Sequence, residues 1–310
     1  MKKLRSLLCI IFALLCFTSS GTAQSILYAA TGSFGIPGSI YQIDVTTGVI
    51  SGTHALTNAA GGAPIGLTGL AWNPAGTILY GVTNSASPNS PNHLVTVDPL
   101  TGHYVDIGSL GSGIKVSDIS FRANGTLYGF QAGGTDNGIP RALFTIALSG
   151  PNAGKATSVA TTDLTITSGG GIAFSPVATA DGKPAGTLFL SATGSVGTLD
   201  TLSLLGSNAR TVGPSMTGAL YLGMGALAFD AAGTLWGADN DGLGQATVSV
   251  ALETINLVNG AVGGPNNGQG WDLLDNTDAI AFAPIPEPST AALLISSAIG
   301  SIALVYRHRR

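Results

Sequence analysis

The chain has 310 residues, 45% hydrophobic and only 9% charged, with 45 glycines. Between Gln24 and Ile285, a body of 262 residues, six basic residues stand against 15 acidic ones, a net of −9 that the basic chain ends mask. That balance argues against a nucleic-acid partner, because phosphate binding needs a basic surface. Both cysteines, Cys9 and Cys16, precede the body, which leaves it no disulfide and no thiolate chemistry.

Residues 1–23 read as a secretory signal peptide. Lys2, Lys3 and Arg5 form a positive start, Leu7 to Phe17 an apolar core, and Gly21-Thr22-Ala23 a small-residue cleavage site, with cleavage expected after Ala23. Residues 24–285 then form one repeat domain. The recurring unit is a short apolar strand ending in an aromatic, a Gly-Thr turn, and a second strand of Leu-aromatic-Gly type. Leu70-Ala71-Trp72 precedes Gly76-Thr77-Ile78-Leu79-Tyr80-Gly81, and Ile119-Ser120-Phe121 precedes Gly125-Thr126-Leu127-Tyr128-Gly129. Ile172-Ala173-Phe174 with Gly186-Thr187-Leu188-Phe189 follows, then Leu227-Ala228-Phe229 with Gly233-Thr234-Leu235-Trp236-Gly237. The first-strand aromatics fall at 72, 121, 174, 229 and 282, steps of 49, 53, 55 and 53 residues. That period suits a slightly enlarged four-stranded propeller blade.

A second hairpin follows in at least two copies: Ile40–Asp44 into Thr46-Thr47-Gly48, and Leu94–Asp98 into Leu100-Thr101-Gly102. Asp44 and Asp98 are expected to bond the turn's N–H groups, and the glycines to close it at positive φ. Two hairpins per unit make four antiparallel strands. The body opens on Ile26-Leu27-Tyr28, a second strand without its first, and closes on Ala279–Phe282, a first strand without its second. The expected fold is therefore all-β: a β-propeller of about five four-stranded blades, closed by the two ends of the body. An open solenoid or two sandwiches are the alternatives.

Chemistry is sparse. There is no Gly-x-Ser-x-Gly, His-Glu-x-x-His or Walker loop. His93 and His103 flank one hairpin and could meet across it as metal ligands, but no third ligand accompanies them; His54 is the body's third histidine. Asp239-Asn240-Asp241-Gly242 resembles the start of a calcium loop without its closing Glu and reads more simply as a turn. Asp272, Asp275 and Asp278 would share a face only on a helix. Glu253 is the one Glu of the body, so a carboxylate pair for glycoside hydrolysis would have to come mostly from Asp. The repeat aromatics are expected between blades; Trp271 and Tyr104 lie outside that pattern and are better candidates for surface contacts than the others, with packing still the leading expectation for both. No catalytic, cofactor-binding or metal-binding residue is expected, and Ca²⁺ is the one cofactor left open.

Residues 286–310 carry three elements in order: Pro286-Glu287-Pro288, an apolar run Ala291–Tyr306, and the basic cluster Arg307, Arg309, Arg310. The 16-residue run spans roughly 24 Å as a helix, short for a hydrocarbon core of about 30 Å. Thinning of the bilayer and snorkelling arginines can make up the difference, and the basic end stays cytoplasmic. This tail resembles the PEP-CTERM sorting signal. The resemblance implies processing by exosortase, a membrane transpeptidase of Gram-negative bacteria, after transient anchoring by a C-terminal transmembrane helix. It also implies delivery to the cell surface or the polysaccharide matrix. The blades resemble those of bacterial secreted propellers, a group that hosts enzymes, adhesins and scaffolds alike. The function expected is an exported, non-catalytic binding or structural propeller associated with exopolysaccharide or a surface protein of the biofilm matrix. The alternative is a polysaccharide hydrolase or lyase using Asp residues of the central channel.

Overall fold

In the computed structural model the described residues are 26–32, 38–131, 142–161, 170–192, 197–204, 210–213, 224–239, 250–265, 270–274 and 276–283. Among them are strands and turns and no helix. The expected signal, 1–23, and the sorting segment, 286–310, lie outside the described residues.

The chain runs through β1 (Ile26–Thr31), β2 (Ser39–Asp44) and β3 (Ile50–Ala55), then the two-residue β4 (Thr57–Asn58). The second blade is β5 (Leu67–Trp72), β6 (Leu79–Thr83), β7 (His93–Val97) and β8 (His103–Ser109). The third is β9 (Asp118–Phe121), β10 (Leu127–Gln131), β11 (Ala142–Ile146) and β12 (Ala156–Thr161). The fourth is β13 (Ile172–Phe174), β14 (Leu188–Ala192), β15 (Thr198–Leu202) and β16 (Arg210–Val212). The fifth is β17 (Met224–Phe229), β18 (Leu235–Asp239), β19 (Val250–Ile255) and β20 (Val262–Gly263), with β21 (Trp271–Leu273) also on β19. Last comes β22 (Thr277–Phe282). It pairs with β1 in the order β22-β1-β2-β3, so both ends of the body build the first blade. Leu27 lies opposite Phe282 and Tyr28 opposite Ala281, the closure read from the sequence.

The first strands β22, β5, β9, β13 and β17 sit side by side around the axis. The aromatics that end them each meet the second-strand aromatic of the preceding blade. The five pairs are Tyr28–Trp72, Tyr80–Phe121, Tyr128–Phe174, Phe189–Phe229 and Trp236–Phe282, with ring centroids 5.2 to 5.9 Å apart and tilted or edge-on. Such pairs add about 0.5–1.5 kcal/mol each beyond area burial. The periodic aromatic is thus the repeat's inter-blade bond, and the last pair welds the fifth blade to the first.

The outer turns behave as the sequence asks. Thr46 and Leu100 donate their N–H groups to Asp44 and Asp98 Oδ1 at 2.8 and 3.0 Å, while Gly48 and Gly102 take φ of 74° and close on the aspartate carbonyls. The fifth blade repeats the device with Asn256. The outer strands β3, β8 and β12 each carry a register shift against their neighbours, and β4 lies parallel on β8. An extra residue of this kind breaks the row of free backbone groups that an edge strand otherwise offers.

Trp271 and Tyr104 take packing roles, the leading expectation for both, and not surface contacts. Tyr104 is buried. Trp271 packs its ring on Gly48 and donates Nε1–H to the Val45 carbonyl at 2.9 Å, holding the fifth blade to the first blade's outer turn. Beside it the buried Tyr41 hydroxyl donates to Thr277 Oγ1 at 2.6 Å, whose own proton goes to the Leu274 carbonyl, and accepts from Leu274 N–H. Burial pushes that phenol up to about 12.

Candidate functional site on the propeller axis

The two ends of the axis differ. All five first strands run in the same sense, so their starts gather at one face of the ring and their ends at the other. At the ending face the five aromatics Trp72, Phe121, Phe174, Phe229 and Phe282 line an open funnel of about 220 Å³, with the Ser120 hydroxyl in its wall. Asp230 is the one carboxylate of that wall. Its Oδ1 accepts from Ala232 and Thr234 N–H and its Oδ2 from Trp236 Nε1–H, so three of its about four lone-pair sites are committed to its own hairpin.

At the other end the strands close on each other. The equivalent positions are Gly69, Asp118, Gly171, Ala226 and Ala279. Small residues are needed there. A Cβ on Gly171 would lie 2.5 Å from the Ala226 carbonyl carbon and Leu227 N, and one on Gly69 would lie 2.8 Å from Ile119 N. The exception is Asp118, whose side chain is fully buried. Its Oδ1 accepts from Ile119 N–H at 2.8 Å; its Oδ2 accepts from Ile172 N–H at 2.8 Å and Leu227 N–H at 3.2 Å. These donors belong to three successive blades. They are inner-edge N–H groups of β9, β13 and β17, which without an acceptor would each be a buried orphan. Ser120 serves the next N–H, accepting from Phe174 at 3.1 Å. Burial holds the Asp118 carboxyl well above the usual carboxylate range, against the lowering effect of its three N–H donors.

Asp118 was not singled out by the sequence reading. The signal was present: one acid at a repeat position where the other four blades carry Gly or Ala. Isolated, an Asp before an apolar strand reads as a turn residue.

The residues singled out by sequence do not converge on the axis. His93 and His103 start β7 and β8, which run antiparallel with His93 opposite Ser109 and Val97 opposite Tyr104. They therefore sit at opposite ends of the hairpin, about 16 Å apart by strand rise, and share no metal. His93 Nδ1 instead lies 2.9 Å from Asp106 Oδ1, whose partner oxygen accepts from the Ser90 hydroxyl. His54 and His103 lie near Asp98, whose carboxyl is held low by Leu100 N–H first, then the Thr101 hydroxyl. Asp239 ends β18, and residues 240–242 lie outside the described residues. Asp272 is on β21 and Asp278 on β22, so the three-residue spacing does not fall on a helix; Asp275 lies outside the described residues. No group of three or more potential metal-ligating side chains occurs among the described residues. Glu253 is buried on β19 and Asp200 on β15. Neither lines the funnel, so no carboxylate pair faces it among the described residues.

No family model and no curated protein matches the chain. Solved structures resemble it at low identity. A protein of unknown function from Bacteroides caccae gives a TM-score of 0.49 at 11% identity, over 84% of this chain and 100% of that one. TolB from Acinetobacter baumannii gives 0.48 at 11%, over 86% and 68%. A gluconolactonase from Xanthomonas campestris gives 0.43 at 14%, over 82% and 78%. What the chain's own strands establish is the architecture, a five-bladed β-propeller of four-stranded sheets, with its first blade shared between the two ends of the body.

Proposed function

We infer that this is an exported surface or matrix protein, sorted through its C-terminus by exosortase, whose propeller body binds rather than reacts. The observation that carries the reading is the ordered tail: Pro286-Glu287-Pro288, the apolar run Ala291–Tyr306, and Arg307, Arg309 and Arg310 at the end. The ring supports it. Ala283 N–H donates to the Ile26 carbonyl at 2.8 Å, so the first and last described residues of the ring lie side by side at one face. The precursor is held in the inner membrane of a Gram-negative cell. The processed body is released to the cell surface or exopolysaccharide, with polysaccharide or a surface protein as partner.

The wall of the funnel favours binding over hydrolysis. Its carboxylate is committed to its own turn, and Asp118 is sealed beneath three backbone donors, so among the described residues no acid–base pair for a glycosidic bond faces the funnel. Mass spectrometry of the protein from an exosortase-positive host tests the routing: a shortened C-terminus near Pro286–Pro288 is expected, and an intact end at Arg310 refutes it. Incubation with the host's exopolysaccharide tests the rest. Retention without new reducing ends or unsaturated sugars is expected, and their release would favour the enzyme reading.

A further inference from the structure

Seven large hydrophobic side chains are exposed among the described residues: Val49, Ile78, Leu100, Val105, Val159, Val177 and Val258. Two, Val105 and Val159, lie on the rim strands β8 and β12. The other five all sit at the same face of the ring. Val49, Leu100 and Val258 occupy or adjoin the outer turns after β2, β7 and β19, and Ile78 and Val177 the inner turns after β5 and β13. Every one of those turns lies at the end where β22 finishes and β1 begins, as the pairings of Leu27 with Phe282 and with Ile43 require. The apolar side chains, the aromatic funnel and both departing ends therefore share one face.

We propose that this face rests on the membrane that holds the precursor. Leu100, Val49 and Val258 are 65%, 60% and 59% exposed, values that suit side chains dipping into the headgroup region. The acids of the same turns do not oppose contact: Asp181, in the Val177 turn, is neutralised by Lys183 and bonded by the Thr179 hydroxyl. Asp44 and Asp98 fold their carboxylates back on the turn N–H groups, and Thr101 adds its hydroxyl to Asp98. The body's net charge of −9 points to a zwitterionic rather than an anionic surface. The chain's own length fits: from Ala283 to the start of the apolar run at Ala291 is eight residues, a reach of at most about 28 Å. A tether that short keeps the ring within its own size of the bilayer at high effective concentration. The inference rests on the membrane-anchored tail read above, and the test separates the two.

The full chain, with Cys9 and Cys16 changed to serine, is placed in phosphatidylcholine nanodiscs containing brominated acyl chains. Single cysteines are introduced as Leu100→Cys, Val258→Cys, Val159→Cys on the rim and Ser296→Cys in the apolar run, each carrying a fluorophore. All three body positions are exposed valine or leucine, so folding is unaffected. Several-fold stronger quenching at 100 and 258 than at 159 is expected. Equal quenching at 100, 258 and 159 overturns the docking; if 296 is quenched in that case, the anchor stands alone. Quenching at 100 and 258 without quenching at 296 supports the docking and overturns the anchor. Without quenching at any of the four, both fall.

Discussion

Asp118→Ala removes the one acceptor shared by three blades. The alanine itself fits, since Ala226 and Ala279 occupy the same position in other blades. The cost lies in what is left behind: the N–H groups of Ile119, Ile172 and Leu227, buried and without an acceptor. A buried donor left unsatisfied costs about 1–3 kcal/mol, so three cost about 3–9 kcal/mol. A water entering the space vacated by the carboxyl would bring the loss toward the lower end. Against a total stability of about 5–15 kcal/mol, the expected result is a loss of roughly 3 kcal/mol or more. Urea unfolding of the full chain in detergent, followed by the fluorescence of Trp72, Trp236 and Trp271, measures it. Hydrogen exchange adds a local reading, because the amides of Ile172 and Leu227 should exchange faster than those of β6 and β7. A variant within about 1 kcal/mol of the parent, with both amides still protected, would falsify the view that Asp118 ties the blades together.

Asp118→Asn removes the titrating proton while keeping one acceptor oxygen for Ile172 and Leu227. The folded carboxyl lies above its unfolded value of about 4. Its contribution is therefore fully present below pH 4 and is lost as pH rises through the folded value. Parent stability relative to the Asn variant should fall from pH 4 to pH 8; a rise over that range means the carboxyl titrates low and burial does not dominate. Gly48→Ala places a Cβ 2.4 Å from Trp271 Cε3 at φ of 74°. It should cost more than the roughly 1–2 kcal/mol of a left-handed alanine alone and loosen the Trp271 bond to Val45. Gly125→Ala, at φ of 87° with open space around it, should cost only the backbone term, and equal losses in the two variants would count against the packing role of Trp271. Deleting Ile26–Thr31 strips β22 of its strand partner and should lower the melting temperature sharply; an unchanged melting curve would mean that the first blade does not need both ends.

The blade count was legible because each first hairpin must satisfy several local demands at once. It needs an apolar strand, a glycine at positive φ, and an aromatic that meets the next blade, and such demands leave a repeated signature. The closure was legible from the two unmatched strands at the ends of the body. The outer strands were legible only in part: the turns after β2 and β7 announce β3 and β8, but β3 continues as Ser-Gly-Thr-His-Ala and β12 reads Ala-Thr-Ser-Val-Ala-Thr, with no pattern of their own. Edge positions bury little, so they impose no alternation. The pairing of His93 with Asp106 was hidden because it depends on the register of β7 against β8, and a bulge at Ile107 shifts that register. Asp118 was hidden for a different reason. Its role is set by backbone donors on strands 54 and 109 residues away, and no local pattern announces those.

The seam between β1 and β22 also decides how the protein carries a mechanical load. Traction on the C-terminal segment enters at Ala283 and runs along β22. It meets the ladder from Leu27–Phe282 to Thr31–Thr277 lengthwise, so the bonds are sheared together instead of being peeled one by one. A body tugged by its tail in flow should resist as a unit, and when the seam does yield, the ring opens at the first blade while the other four keep their sheets.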